Sequence, residues 1–174
     1  MLDETARDRT YGAATTLRAD GDDGTGKDQY ALLRWKDFTI PAGSTVKSVT
    51  ITVNVTNPTD GTYELYAMGR DWWEDYASWN SYGPGNTWAV PGAKGTADRG
   101  TTVLGTITAH STGQATITLN AAGIALVQSW VNSPSTNNGV IIADPVVSDG
   151  VVFDSREALT ASNRPKLTVT YAAP

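Results

Sequence analysis

The last quarter of the chain constrains the fold most. Gly139-Val140-Ile141-Ile142-Ala143 is an apolar run, Val151-Val152-Phe153 is a second, and Lys166-Leu167-Thr168-Val169-Thr170-Tyr171 alternates apolar with polar. Strict alternation puts every second side chain on one face, the pattern of a strand with one wet side. Earlier in the chain, the nearly continuous apolar run Tyr30-Ala31-Leu32-Leu33-Arg34-Trp35 suits a central strand covered on both faces. A chain that closes on an alternating strand is expected to tie that strand into the middle of a sheet, with the first strand nearby.

The clearest strand lies earlier. Val49, Ile51, Val53 and Val55 alternate with Ser48, Thr50, Thr52 and Asn54, so one face is expected to be core, facing Leu32, Ile141 and Val169. Shorter strands are expected at Thr15 to Ala19, Tyr30 to Trp35, Thr62 to Met68, Thr102 to Ala109 and Ala115 to Leu119. One helix is expected after Asn120, a good N-cap, with Ile124, Val127 and Val131 in a stripe and Trp130 beside it. Ser133-Pro134 ends it. About ten short strands and one short capping helix predict an all-β fold, an antiparallel two-sheet β-sandwich of jelly-roll type, as a single module over residues 1–174.

Composition narrows the functional classes. The net charge of −5 gives no basic footprint for nucleic acid. No apolar stretch reaches the length of a membrane-spanning helix. The absence of cysteine rules out disulfides and thiolate chemistry. Met1-Leu2-Asp3-Glu4-Thr5 has neither the basic nor the apolar region of a signal peptide, so the chain reads as a module cut from a longer exported protein. For catalysis, the sole histidine, His110, sits at a strand end without a Ser or Asp constellation. Asp71, Glu74 and Asp75 lack an opposed carboxylate across a cleft. The expectation is a protein that is not an enzyme.

Six segments, in order, resemble the DNRLRE domain, a group overlapping alginate-type carbohydrate-binding modules and disaggregatase-related repeats. They are Thr10 to Arg18; Leu32 to Gly43; Asp71-Trp72-Trp73-Glu74 with Ser78-Trp79-Asn80; Val127 to Trp130; Asn138-Gly139-Val140; and Phe153 to Glu157 with Arg164-Pro165-Lys166-Leu167. Thr10 stands where that family usually has asparagine. The resemblance implies a β-sandwich, frequent calcium binding, and a place in secreted or cell-surface proteins that handle polysaccharides. It makes Trp72 and Trp79 structural.

Candidate ligand-binding residues follow from the chemistry of a sugar, whose apolar face stacks on aromatic rings while its hydroxyls need polar groups. Trp73, Tyr76, Tyr82 and Trp88 fall in one loop rich in Asn, Ser and Gly, with Arg70, Asn80 and Asn86 as nearby donors. The competing reading is that these rings fold the loop onto itself. Trp35 and Trp130 sit in core patterns. Calcium needs six to eight oxygen ligands, and Asp20, Asp22, Asp23 and Asp28 with Glu157 are the candidate metal ligands for a structural Ca2+. Their spacing is not that of an EF-hand, since the twelfth position from Asp20 is Ala31. A solvated hairpin tip competes with the metal, as does an ion pair between Glu157 and Arg34, and Asp144 with Asp149 form a second acidic pair. Arg156 and Glu157, read as strand neighbours, would point apart. The functional expectation is a polysaccharide-binding module tethered to further domains of an extracellular or cell-surface protein; the alternative is a structural or adhesive spacer without a glycan ligand.

Overall fold

The computed structural model describes residues 1–21, 24–37, 39–143 and 146–174. It is mostly β, with antiparallel sheets and one helix. One sheet contains β1 (Leu2–Asp3), β3 (Gln29–Leu33), β10 (Val140–Ala143), β5 (Tyr63–Ala67) and β8 (Gly105–Ile107), side by side in that order. The other orders β12 (Lys166–Ala172), β4 (Thr45–Asn57), β11 (Val151–Asp154) and β2 (Thr16–Ala19), with β9 (Gly113–Thr118) also on β4. A small hairpin, β6 (Ser81–Gly83) with β7 (Asn86–Thr87), stands apart in the loop after β5.

β4 organises the second sheet. Val49, Ile51, Val53 and Val55 are each about 1 % exposed, and Ser48, Thr50, Thr52 and Asn54 take the other face, as the alternation requires. Ile51 lies opposite Leu167 of β12 and also opposite Ile117 of β9, so those strands flank it on either side. Val55 lies opposite Phe153 of β11 and Gly113 of β9, which puts β11 on the β12 side. Between them, at Val53 and Asn54, that edge of β4 has no strand partner.

The core joins both sheets: Leu17, Val49, Ile51, Val53, Ile117 and Phe153 from one, Ala31, Leu33, Tyr63, Leu65, Val140 and Ile142 from the other. Leu32 and Ile141, expected to face β4, point the other way, into a separate apolar cluster with Tyr30, Trp72, Trp79 and Trp88. An uninterrupted apolar run does not reveal its parity, and here both faces are covered. Val169 does not face Val49 across the core either; it is paired beside it in the same sheet. The last strand lies at a sheet edge rather than in the middle, and the first strand belongs to the other sheet.

The helix α1 spans Ala121–Asn132. Its Asn120 cap accepts hydrogen bonds from the N–H groups of Ala122 and Gly123 at 3.0 and 3.1 Å. Val127, Trp130 and Val131 are buried. Gln128 stitches the helix to the start of β4 by accepting from Val46 N–H at 2.8 Å and donating to Ser44 C=O at 3.1 Å. Before β10, Gly139 adopts φ 78°, and a Cβ there would lie 2.3 Å from the Leu33 carbonyl oxygen. Glycine alone allows β10 to join β3 at that approach.

Candidate functional site

The long connection from β5 to β8 covers the outer face of the first sheet and sorts its aromatics into two groups. The inner group is buried. Trp79, 1 % exposed, lies 5.3 Å from the Tyr30 ring, and Gly92 packs against it, where a Cβ would come within 2.7 Å of the indole. Trp72 donates its indole N–H to Asn138 C=O at 2.8 Å, and Trp88 donates to Ser78 C=O at 2.9 Å. A buried indole needs such an acceptor, because an unpaired N–H in the core is costly.

Asp98 fastens this loop. Its fully buried carboxylate accepts from the backbone N–H groups of Ala89 (3.0 Å) and Val90 (3.1 Å) and from Arg70 Nε (2.7 Å). Burial pushes its carboxyl upward, yet the Ala89 and Val90 N–H groups and the Arg70 guanidinium together hold it below the usual carboxylate value.

The outer group is exposed. Trp73 is 54 % and Tyr76 50 % exposed, with ring centroids 6.0 Å apart in an edge-on arrangement. A turn fixes both, since Tyr76 and Ala77 donate backbone N–H to Trp73 C=O, while Trp73 N–H donates to Tyr82 C=O at 2.8 Å.

Trp73 stands on the wall of a cleft of about 1340 Å³ that opens where β11 and β12 part along β4. Val53 and Asn54 from the unpaired stretch line it with the adjoining Thr52, and Asn54 Nδ2 spans the gap to Asp154 at 2.8 Å. Arg34, on the cleft wall, stacks 4.6 Å over the Trp72 ring and donates to Asp71 and to Trp72 C=O. Arg156 Nε reaches Glu74 at 2.8 Å and Glu157 at 2.9 Å. Arg34 and Arg156 are therefore engaged with carboxylates, while the third wall arginine, Arg164, donates its Nε–H to Ala158 C=O at 2.9 Å. Lys36 and Lys166 also line the cleft, and neither side chain makes an ion pair or hydrogen bond among the described residues.

The other residues singled out from the sequence fall as follows. Trp88 is a correction: at 4 % exposure its ring belongs to the buried cluster and is closed to a ligand. Tyr82 is half-buried, 5.4 Å from the Trp88 ring and 5.3 Å from the Arg70 guanidinium. Arg70 keeps part of its guanidinium exposed while held by Asp98. Asn80 donates to Asp8 at 2.8 Å, and the exposed Asn86 donates to Pro84 C=O at 2.9 Å. Trp35, assigned to the core, packs against it while half-buried on the cleft wall, and donates its indole N–H to Pro165 C=O at 3.0 Å. Arg34, Glu74 and Lys166 belong to the cleft and were missed as candidates. Their positions depend on pairings between distant strands, for which local sequence carries no signal.

The carboxylates proposed for calcium are separately engaged. Asp20 pairs with Arg18; Asp28 takes Lys94 Nζ and the Tyr30 hydroxyl at 2.8 and 2.9 Å; Glu157 takes Arg156. Asp22, Asp23 and Asp144 lie outside the described residues. Among the described residues no three carboxylate or imidazole groups converge, and Asp20, Asp28 and Glu157 each engage a different cation. The Arg156–Glu157 contact also corrects the strand reading. β11 ends at Asp154, and Ser155 Oγ accepts Glu157 N–H at 2.9 Å while donating to Ala14 C=O at 2.6 Å. The turn brings the two side chains together. His110 is exposed, with Nδ1 3.3 Å from the exposed Asp60.

No protein-family model matches this chain, and no relative is found among curated proteins. No helix is long and apolar enough to cross a membrane among the described residues.

Proposed function

We propose that the chain is a non-catalytic carbohydrate-binding module, a β-sandwich of jelly-roll type, that keeps a longer secreted or cell-surface protein on a polysaccharide. The observation that carries this reading is the half-exposed Trp73 indole on the wall of the 1340 Å³ cleft, with Tyr76 beside it. A large apolar ring left in solvent by a loop that buries three other tryptophans is unexplained by packing. The cleft exceeds the ~300–1,000 Å³ of most small-molecule pockets, which suits several sugar residues of a polymer better than one free sugar. Stacking supplies apolar contact, and the exposed Arg156, held by Glu74 and Glu157, offers a fixed donor for hydroxyls. Such a module works by raising the local concentration of its attached partner at the polymer.

Affinity electrophoresis against neutral and acidic polysaccharides tests the reading. Retardation by one glycan class is expected, weakened about fivefold by Trp73→Ala, the loss of an aromatic contact worth ~1 kcal/mol. The spacer reading rests on the edge-on contact of Trp73 with Tyr76, which satisfies each ring partly without a ligand. It replaces the binding reading if the folded chain ignores every glycan.

A further inference from the structure

Among the described residues the outer edge of β12 is the longest strand edge without a partner strand. Among the described residues no backbone hydrogen bond reaches Lys166–Ala172 except from β4. Proteins normally shield such an edge with proline, bulges, charge or shortness, because its unpaired N–H and C=O groups accept another strand. β12 has seven residues, no proline, and a single charge, Lys166, at its beginning. The bulge in its pairing with β4 falls on the β4 side, where Lys47 is passed over, so β12 itself stays regular. The first sheet ends instead in strands of two and three residues, β1 and β8. β9 is shorter, with six residues, and at its Thr118 end it lies against Gly105, where a Cβ would sit 3.0 Å from Thr118 C=O.

We propose that β12 is a self-association edge, pairing antiparallel with β12 of a second copy of this chain across a two-fold axis at Val169. The sequence is complementary to itself in that register. Val169 meets Val169, Thr168 meets Thr170, Leu167 meets Tyr171, and Lys166 meets the uncharged Ala172, so the two lysines lie at opposite ends. Opposed residues in an antiparallel pair share a face. Leu167 and Tyr171 are both on the core face, opposite Ile51 and Val46 of β4. Tyr171 is 39 % exposed and Leu167 half-buried, and cross-strand pairing would cover both. The outer-face pair of threonines adds no charge to bury. A joined edge of seven residues is small beside the ~1,200 Å² of a stable interface, so the association is weak and concentration-dependent. It is independent of the carbohydrate reading.

Sedimentation and light scattering from about 10 μM to about 1 mM read the outcome. The mass should rise from 18.4 kDa toward twice that value. The double variant Thr168→Lys with Thr170→Lys sets like charges opposite each other and should stay monomeric, as should the corresponding Glu double variant. An equimolar mixture of the two should restore the dimer. Hydrogen exchange on the unmodified chain needs no variant: backbone amides of residues 166–172 should become more protected as concentration rises. A constant monomer mass, undiminished association of the Lys variant while folded, or concentration-independent exchange at β12 would each overturn the proposal.

Discussion

The two apolar clusters of this molecule are built differently. The core between the sheets is mostly aliphatic, supplied by alternating strand positions such as Val49, Ile51, Val53 and Ile117, with Tyr63, Phe153 and Trp130 its only aromatic members among the described buried residues. The cluster under the β5–β8 loop is aromatic, with Tyr30, Trp72, Trp79 and Trp88 against Leu32 and Ile141. Ions edge the second: Lys94 Nζ lies 5.0 Å from the Trp79 ring, Arg99 5.4 Å from the Tyr30 ring, and Asp98 binds the loop from beneath. In the first cluster the backbone hydrogen bonds are satisfied by strand ladders, so side chains need only fill space. In the second, an irregular loop must satisfy its own backbone, and it does so with buried acceptors and indole donors. Strand order positions one cluster; individual polar contacts position the other.

The largest expected effect is in the first. Ile51→Asp would put a carboxylate where the side chain is about 1 % exposed, with Leu167 and Ile117 on either side. Burying an unpaired charge is among the few single changes that exceed ~4 kcal/mol, so the variant should fail to fold. Circular dichroism and thermal melting read this. A soluble variant melting like the parent would mean that β4 presents its other face to the core.

Trp79→Ala probes the second cluster. Removing a buried tryptophan costs about 3–5 kcal/mol, which for a chain of this size lowers the melting temperature by roughly 10 °C. The comparison sharpens if near-ultraviolet circular dichroism of the tryptophans collapses while the far-ultraviolet β signal persists. In that case the loop comes away from a sheet that stays folded. Simultaneous loss of both signals would show that the two clusters melt as one unit.

What the sequence made legible follows the same division. β4, β12 and α1 were readable because each carries its own period or cap: alternation at Ser48 to Val55 and Lys166 to Tyr171, and Asn120 before the helix. The parity of Tyr30 to Leu33 was not, because a strand buried on both faces is apolar at every position; only its neighbours show that Ala31 and Leu33 face one cluster and Tyr30 and Leu32 the other. In the candidate site Trp73 and Tyr76 were recognisable as loop aromatics, but Trp88 looked the same. What separates them is the acceptor that Ser78 C=O offers to Trp88, a contact that loop sequence does not encode by spacing. The cleft was invisible, since it arises where β11 and β12 part along β4. Ser155 was the available signal that Arg156 and Glu157 leave the strand, because serine favours turns that bind their own backbone.

Asp98→Asn tests whether polar contacts hold the second cluster. An amide cannot accept as a charged carboxylate does from Ala89, Val90 and Arg70, and its loss should cost about 2–4 kcal/mol. Acidity offers a second measurement. The Asp98 carboxyl titrates below its ordinary range in the folded chain, so its contribution is complete above the unfolded value of about 3.9. It falls away as pH drops through the lower folded value. The parent should therefore lose more stability than Asp98→Asn between neutral pH and about pH 3. Equal losses would place the acid sensitivity elsewhere, with Asp3, whose carboxyl is also held low, as the next group to vary.

The smallest expected effect on stability is at Trp73, where the contrast between buried and exposed rings is sharpest. Trp73 and Trp72 are adjacent in sequence, yet one is 54 % and the other 6 % exposed. Trp72 also donates to Asn138 C=O and carries Arg34 on its face. Trp73 meets the edge of Tyr76 and, at its side, Gly83, where a Cβ would be 3.6 Å away. Truncating an exposed side chain away from caps, strain and buried polar groups changes stability by about 0.5 kcal/mol or less, so Trp73→Ala should melt within roughly 2 °C of the parent. Trp72→Ala should instead lose several degrees, because it removes a buried ring and leaves Arg34 without its platform. Equal destabilisation by the two changes would mean that Trp73 packs as part of the loop, and the surface offered to a glycan would then have to be sought along the cleft wall at Arg34, Trp35 and Lys166.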